Sequence, residues 1–296
     1  MTPVARLVAQ AKINLGLRVL AREESGYHSI ETVYCRLALG DAVTVRVGDA
    51  GWTLRCDGPR CPAEGLGPAE NNLAYRAAAA FAAEASWPRG CSIELRKEIP
   101  PGSGLGGGSA DAGAVLRALN ALAPEPVSES ELTRIAGRLG SDVPFLATTS
   151  PMALAWSRGE RMLAVPALPE RHVAVVLPPT TVSTADAYAW LAATRSTYSP
   201  RARVLPAAAL ASWEALAPHT ANDFEPVVVA RHPEIARALA ALRAAGATLA
   251  RMTGSGSGVY GIFERGPDAA ELSAEIGGDV VLTRTAPHVV PVGLSE

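Results

Sequence analysis

Lysine is nearly absent from this chain: among 27 lysines and arginines only Lys12 and Lys97 are lysine. Alanine is abundant beside the many arginines, and the two biases read as a property of the source composition, not as a signal of function. An excess of charge of one sign is missing too. The formal net charge is −2, and no basic block or basic stripe interleaved with aromatics occurs, so the electrostatic footprint of a nucleic-acid binder is lacking. The expected partner is a small molecule. No run of about eighteen apolar residues could span a bilayer, and no membrane partner is expected. Met1 to Arg6 lead directly into an apolar segment without the long apolar core and small-residue cleavage site of a secretory signal, so a cytoplasmic protein is expected. Cysteine is scarce: Cys35, Cys56, Cys61 and Cys91 stand at spacings that match no zinc motif. A chain of this length needs no disulfide staples, and reduced structural thiols are expected. His172, His219, His232 and His288 share no metal-ligand spacing, which argues against a protein-held transition metal.

What is present is a large apolar fraction, 48% of 296 residues, enough for one large or two packed domains of roughly 150 residues each. Ile13, Leu15, Leu17 and Val19 recur with period two, which predicts a strand with one buried face within residues 4–20. Residues 22–28 read as a turn. Residues 30–39 and 41–47 read as two strands separated at Gly40-Asp41, with a strand at 52–56 pairing beside them. A loop over 58–72 ends in Asn71 or Asn72 as the cap of a helix at 73–85. A strand at 91–97 is stopped by Pro100-Pro101. Helices follow at 109–123, with Val115, Leu116, Leu119 and Leu122 as its apolar stripe, and at 128–139, where Ser128 and Glu131 have the spacing of a capping box. The sequence Gly140-Ser141-Asp142-Val143-Pro144 breaks that helix. Short strands are read at 152–156 and 162–165, with a boundary between halves near 150 to 170. Beyond it come a strand at 172–177, helices at 185–193, 225–229 and 234–245, and strands at 250–254 and 258–263 around a small-residue turn.

Residues 100–109, Pro-Pro-Gly-Ser-Gly-Leu-Gly-Gly-Gly-Ser, lie between a strand and a helix. So many glycines leave backbone amides unshielded, and the helix behind them points free amides and the positive end of its dipole at whatever the loop holds. Phosphate is the natural guest. Ser109 is placed to cap that helix and to offer its hydroxyl to a phosphate oxygen or magnesium. A flexible linker is the bland alternative, but linkers are seldom glycine-dense directly before a well-patterned amphipathic helix. Gly102, Gly104 and Gly107 also satisfy the dinucleotide fingerprint. A Rossmann unit, however, needs a parallel strand with an acidic residue soon after the helix, and here Glu125 sits between two prolines ahead of another helix. A P-loop requires Gly-Lys-Ser/Thr, whereas this loop ends Gly-Ser-Ala. The His-Arg-Asp and Asp-Phe-Gly signatures of protein kinases do not occur.

The loop fits the phosphate-loop pattern of the galactokinase, homoserine kinase, mevalonate kinase and phosphomevalonate kinase (GHMP) superfamily. The chain resembles that superfamily from end to end, through Ala11-Lys12-Ile13-Asn14-Leu15, Gly26-Tyr27-His28, Gly140 to Pro144, Asn222-Asp223-Phe224 and Met252-Thr253-Gly254-Ser255-Gly256-Ser257. Ala-Lys-Ile-Asn-Leu, Gly-Tyr-His and the triple glycine together are most similar to the branch whose alcohol acceptor carries a cytidine diphosphate group. Departures are modest. Ala110 follows Ser109 where the family often has Ser or Asn, Ser141 precedes the aspartate where it often has Ala, and Thr148-Thr149-Ser150 replace glycines.

The resemblance implies an α+β, two-domain GHMP kinase fold: a strand-rich N-terminal domain, residues 1–160, with the phosphate loop, and a ferredoxin-like C-terminal domain, residues 161–296, with the active site in the cleft between them. It implies ATP as co-substrate, Mg2+ carried by the phosphate oxygens, and a chain that is a monomer or weak homodimer. Lys12 and Asp142 align with the catalytic positions. Alone, such a lysine is more often a solvated strand residue, and such an aspartate can simply cap the next segment. Period-two geometry puts Lys12 and Asn14 on one strand face, where the lysine can set a point charge near Asp142 or the γ-phosphate. Pro100, Pro101, Gly102, Ser103, Gly104, Leu105, Gly106, Gly107, Gly108, Ser109 and Ala110 are expected at ATP, as is Asn72, for which a plain helix-cap role stands equally open. Asn14, Tyr27, His28 and Tyr188 are expected at the acceptor: Tyr27 stacking on cytosine, His28 bonding its edge, Tyr188 as a second wall or a buried helix residue. The Gly254 to Gly258 turn is read as packing closely on the phosphate loop. Two alternatives stay open: a sibling kinase acting on mevalonate, homoserine or a sugar, and a catalytically silent nucleotide-binding sensor.

Overall fold

The period-two stretch belongs to β1 (Val4–Arg22), which runs antiparallel to β2 (His28–Val47) along almost its entire length. A computed structural model of the chain describes residues 3–22, 28–48, 51–62, 65, 67–194 and 205–295. Most of the turn expected at 22–28, with Tyr27, lies outside them. In the middle of β1 both faces are covered, for Ala9 to Leu15 are buried without interruption. A single buried face was expected because Gln10, Lys12 and Asn14 read as a polar face; each instead meets a remote segment. Gly40-Asp41 does not separate two strands either. The ladder steps from Gln10–Gly40 to Lys12–Arg36, so residues 37–39 form a bulge within one long strand. The bulge has a purpose in packing: Leu37 bridges to Thr285, and the Leu39 amide donates to Thr283 Oγ1.

On its other edge β2 is shared. Residues 30–35 pair with β5 (Met152–Ser157) and residues 42–47 with β4 (Cys91–Arg96). β3 (Trp52–Asp57) pairs in parallel with β4 and not with the first two strands, as had been expected. β6 (Arg161–Val165) forms a hairpin with β5, and β11 (Gly293–Ser295) returns to the start of β1. Packed with this sheet are α1 (Leu73–Ala85), α2 (Gly107–Leu122), α3 (Glu129–Gly137) and α4 (Val143–Ala147). The capping box at Ser128 and Glu131 is formed. α2 is the centre of this half. Residues 110–119 are buried all round, not along one stripe, and small residues at 110, 112, 113, 114 and 118 allow its neighbours to close in.

The second sheet has the antiparallel order β10-β7-β9-β8, from β7 (His172–Leu177), β8 (Leu249–Met252), β9 (Val259–Phe263) and β10 (Asp279–Arg284). Between them run α5 (Thr184–Thr194), α6 (Trp213–Leu216), α7 (Glu225–Val229), α8 (Pro233–Ala244) and α9 (Ala269–Ile276). This is the expected ferredoxin-like arrangement. Period two is legible in β7: Ala174 and Val176 join the core under α8, while Val173 and Val175 face the core of the first half. The sheet thus serves two cores. No helix among the described residues is long and apolar enough to cross a membrane.

Candidate active site

Strand β4 ends at Arg96, and α2 begins at Gly107. The residue in the N-cap position is Gly106, at φ 73°, and not Ser109, which sits within the first turn of the helix. An L side chain is strained at that φ. With no side chain capping α2, its first amides stay open toward the loop, as an anion site requires. A cavity of about 1090 Å³ opens there, lined by Pro100, Pro101, Gly102, Ser103, Gly104 and Gly106 to Ser109. Leu105 and Ala110 are buried in the core instead. The turn after β8 presses on the loop as expected. Thr253 Oγ1 donates to Gly104 O at 3.2 Å, and a side chain at Gly104 would strike Thr253 O. Asn222 holds that turn, donating to Met252 O and Gly254 O, both at 2.8 Å.

Lys12 and Asp142 meet across the floor of the cavity, Nζ to Oδ2 at 3.2 Å. The ammonium also donates to Asn14 Oδ1 at 2.7 Å and to Gly104 O at 3.1 Å, so it ties β1 to the loop. Asn14 is itself buried and occupied: its amide donates to Thr32 Oγ1 at 2.9 Å, and its Oδ1 also accepts from the Gly254 amide at 3.0 Å. It aims Lys12. Asp142 precedes α4 without capping it, and its side chain points away to Lys12 and to Tyr34, whose hydroxyl donates to Oδ1 at 2.8 Å. Burial, reinforced by Asp142, raises the Tyr34 phenol well above its ordinary range, so it stays a donor. Behind Asp142, buried Arg36 donates to the carbonyls of Phe145, Thr148 and Ser150 and holds the end of α4. Burial pushes its guanidinium down to about 9.

A second lysine stands on the far side of the loop. Lys97 Nζ contacts Asp41 Oδ2 and, at 2.5 Å, Asp111 Oδ2. Asp41 Oδ1 accepts from the Glu98 and Ile99 amides at 2.6 and 2.8 Å. The residues entering the loop and the helix leaving it are therefore tied to one buried point on β2. Two carboxylates against one ammonium leave an anion in excess. Burial, with Asp41 adding to it against the pull of Lys97, pushes the Asp111 carboxyl up to about 7.

At the other end of the cavity His28 stacks on Tyr188, ring centroids 4.1 Å apart at 19°. Tyr188 also meets Phe224 edge-on at 4.8 Å. The expected acceptor residues His28 and Tyr188 are thus brought together, too close for a base to enter between them; Tyr27 lies outside the described residues. Asn72 caps α1, accepting from the Ala74 amide at 2.8 Å, and it lines the cavity as well. Tyr34, Arg36, Asp41, Lys97 and Asp111 carry no expectation from the sequence. The one available signal was charge within strands and apolar helix starts, where an unpaired carboxylate is costly.

A glycine-rich anion loop facing a Lys–Asp pair between two α+β lobes is the site of a phosphotransferase. Residues 72–150 match the family described as GHMP kinases N terminal domain, and residues 204–279 match GHMP kinases C terminal. The chain is 39% identical over 277 residues to the 4-diphosphocytidyl-2-C-methyl-D-erythritol kinase of Paracoccus denitrificans (strain Pd 1222), covering 92% of each chain. With the kinase of that name from Moorella thermoacetica (strain ATCC 39073 / JCM 9320) it shares 37% over 289 residues, 95% of this chain and 99% of the relative. A crystal structure of 4-(cytidine 5'-diphospho)-2C-methyl-D-erythritol kinase superposes with TM-score 0.74 at 35% identity, covering 95% of this chain and 99% of the other. This chain belongs to the GHMP kinases and, within them, to the family of 4-diphosphocytidyl-2-C-methyl-D-erythritol kinases. As a kinase it takes ATP as co-substrate.

Proposed function

We propose that this protein transfers the γ-phosphate of ATP to the 2-hydroxyl of 4-diphosphocytidyl-2-C-methyl-D-erythritol, giving the 2-phosphate and ADP, a step of non-mevalonate isoprenoid precursor synthesis. The observation that carries the reading is the placement of Asp142 and Lys12, 3.2 Å apart, on the cavity wall facing the loop. Phosphoryl transfer asks little covalent chemistry of the protein and depends on positioning and charge. Loop amides and the start of α2 bind the nucleotide phosphates. Asp142 orients the acceptor hydroxyl and takes its proton, while Lys12 offers its charge to the transferring group. Tyr188 and His28 hold the cytosine, which stacks on the outer face of their pair or parts it. Asn72 borders the nucleotide from the cap of α1.

Among the described residues no three His, Cys, Asp or Glu side chains stand together as a metal cage. The oxygen donors at hand, Asp142 and Ser109, fit Mg2+ held chiefly by phosphate oxygens, where it neutralises phosphate charge. The same reading takes residues 1–160 as the N-terminal kinase domain with the ATP phosphate loop and 161–296 as the C-terminal kinase domain, in a monomer or weak homodimer.

The test is direct. Purified protein with ATP, Mg2+ and the cytidine substrate should yield ADP and the 2-phosphate, resolved by phosphorus NMR. Folded protein that makes no product sinks the assignment. Cytidine nucleotides should also raise the melting temperature where mevalonate and homoserine do not.

A further inference from the structure

Cys56, the penultimate residue of β3, and Cys61 face each other across a short turn, their sulfurs 2.9 Å apart. Nonbonded carbon atoms rest at roughly 3.5–4.0 Å, and sulfur is larger, so the two thiols already stand inside ordinary contact. Both are half-buried and within reach of a small reagent, whereas Cys35 and Cys91 are buried. Phosphoryl transfer uses neither.

The turn between them grips the phosphate-loop scaffold. The Lys97 amide donates to Asp57 O at 2.8 Å, and the Arg60 amide donates to Lys97 O at 3.1 Å. Gly58, at φ 103°, lies so close that a side chain there would come within 2.6 Å of the Lys97 backbone nitrogen. The turn thus clasps the backbone of the residue whose ammonium joins Asp41 to Asp111. Cys56 also feels the charges of Lys97 and Asp111.

We propose that Cys56 and Cys61 are a modification site, closing reversibly into an intramolecular disulfide that staples the 57–60 turn onto Lys97 and stiffens the phosphate-loop scaffold when low-molecular-weight disulfides accumulate. Burial, and then the hydrogen bond with Cys61, pushes the Cys56 thiol up to about 12. Either sulfur can attack first, and the exchange balances the same way in both orders. With Cys61 leading, its thiolate displaces one thiolate from the small disulfide and forms a mixed disulfide. Cys56 then gives up its proton and attacks the Cys61 sulfur, expelling the second thiolate, a step slow by acidity and fast by proximity. The protein loses two protons and two electrons, and the reagent is reduced to two thiols.

Full-length protein is incubated with glutathione disulfide and digested for mass spectrometry, with free thiols counted in parallel. Expected is a Cys56–Cys61 crosslink lighter by two hydrogens, with two of the four thiols lost, reversed by dithiothreitol. Hydrogen exchange at the Lys97 and Arg60 amides should slow in the oxidised form. Cys56→Ser and Cys61→Ser should each keep the reduced exchange rates under oxidant. Separate glutathione adducts, dimers linked between chains, or unmodified thiols would each overturn the proposal, as would a crosslink that leaves exchange at Lys97 unchanged. The link to nucleotide rests on the ATP reading above. Calorimetry with ATP should give a Kd about twofold lower or better for the oxidised form, because a stiffened site loses less freedom on binding. An unchanged Kd with the crosslink formed removes that link. Absence of ATP binding in both forms sinks the ATP reading and leaves the staple standing.

Discussion

The chain's two lysines flank one loop, and both are buried, yet the balance of charge around them differs. Among the described residues Lys12 faces one carboxylate, Asp142, whose side chain is 28% exposed and lines the cavity. Lys97 faces two, Asp41 and Asp111, which are closed to solvent. Burial works to lower the Lys97 ammonium, but Asp111 and Asp41 outweigh it and hold it above its ordinary range. Its charge is spent. Among the described residues the Lys12 charge is balanced by one partly exposed group, so an incoming phosphate can share it. Burial alone does not separate the two lysines, and neither does position, for Lys97 and Asp111 line the same cavity as Lys12 and Asp142; the count of facing carboxylates and their exposure does.

The comparison breaks first at the carboxylates. Asp142→Asn should lower turnover by about 10²–10⁴ while leaving the calorimetric affinity for ATP intact. Asp111→Asn should retain most of the turnover, and the opposite pattern would exchange the roles of the two lysines. Next, Lys97→Met leaves two buried carboxylates unpaired and should cost about 3–5 kcal/mol of stability in urea unfolding. Lys12→Met should cost less in urea but abolish phosphoryl transfer. At the acceptor end, Tyr188→Ala should raise KM for the cytidine substrate by about 5- to 150-fold, the equivalent of one stacked base, with KM for ATP unchanged in steady-state assays.

Acidity sharpens the contrast further. Because the Asp111 carboxyl is pushed up to about 7, the folded protein keeps a proton that the unfolded chain releases near an ordinary carboxylate value of about 3.9. The folded state therefore binds more protons between those values, and stability falls as pH rises across that window. The contribution is full below the window and lost by about pH 7. Melting temperatures from pH 5 to 7.5 should show that fall in the wild type and a flatter profile in Asp111→Asn. The smallest effect is at the cap: Asn72→Ala should cost about 1 kcal/mol of stability, and a simultaneous rise in KM for ATP would mark Asn72 as a nucleotide contact too.

Much of the fold was legible because its signals are local. The Ser128–Glu131 capping box, the Asn72 cap and the alternation of β7 are each written within a few residues. Gly40-Asp41 misled because glycine followed by aspartate is ordinary turn chemistry, whereas here Asp41 is a buried anchor whose ammonium partner lies 56 residues away. Ser109 misled in the same manner: serine is a favoured cap, but Gly106, at positive φ, takes the N-cap three residues sooner. The terminal elements α9, β10 and β11 escaped because they are short and, along β10, only partly buried, leaving little periodic contrast to read.

By itself the sequence determined that a glycine-rich anion loop precedes a helix, that Lys12 and Asn14 share a strand face, and that the chain is a kinase of the GHMP type by its motifs. Only the tertiary structure decided which carboxylates each lysine faces. Tyr34 and Asp142 meet from 108 residues apart, and Lys97 gathers Asp41 and Asp111 from two different elements. Propensity, capping and periodicity act over a turn or two of chain. The balance of charge around a buried ammonium depends on every element packed against it, and no local rule contains that sum.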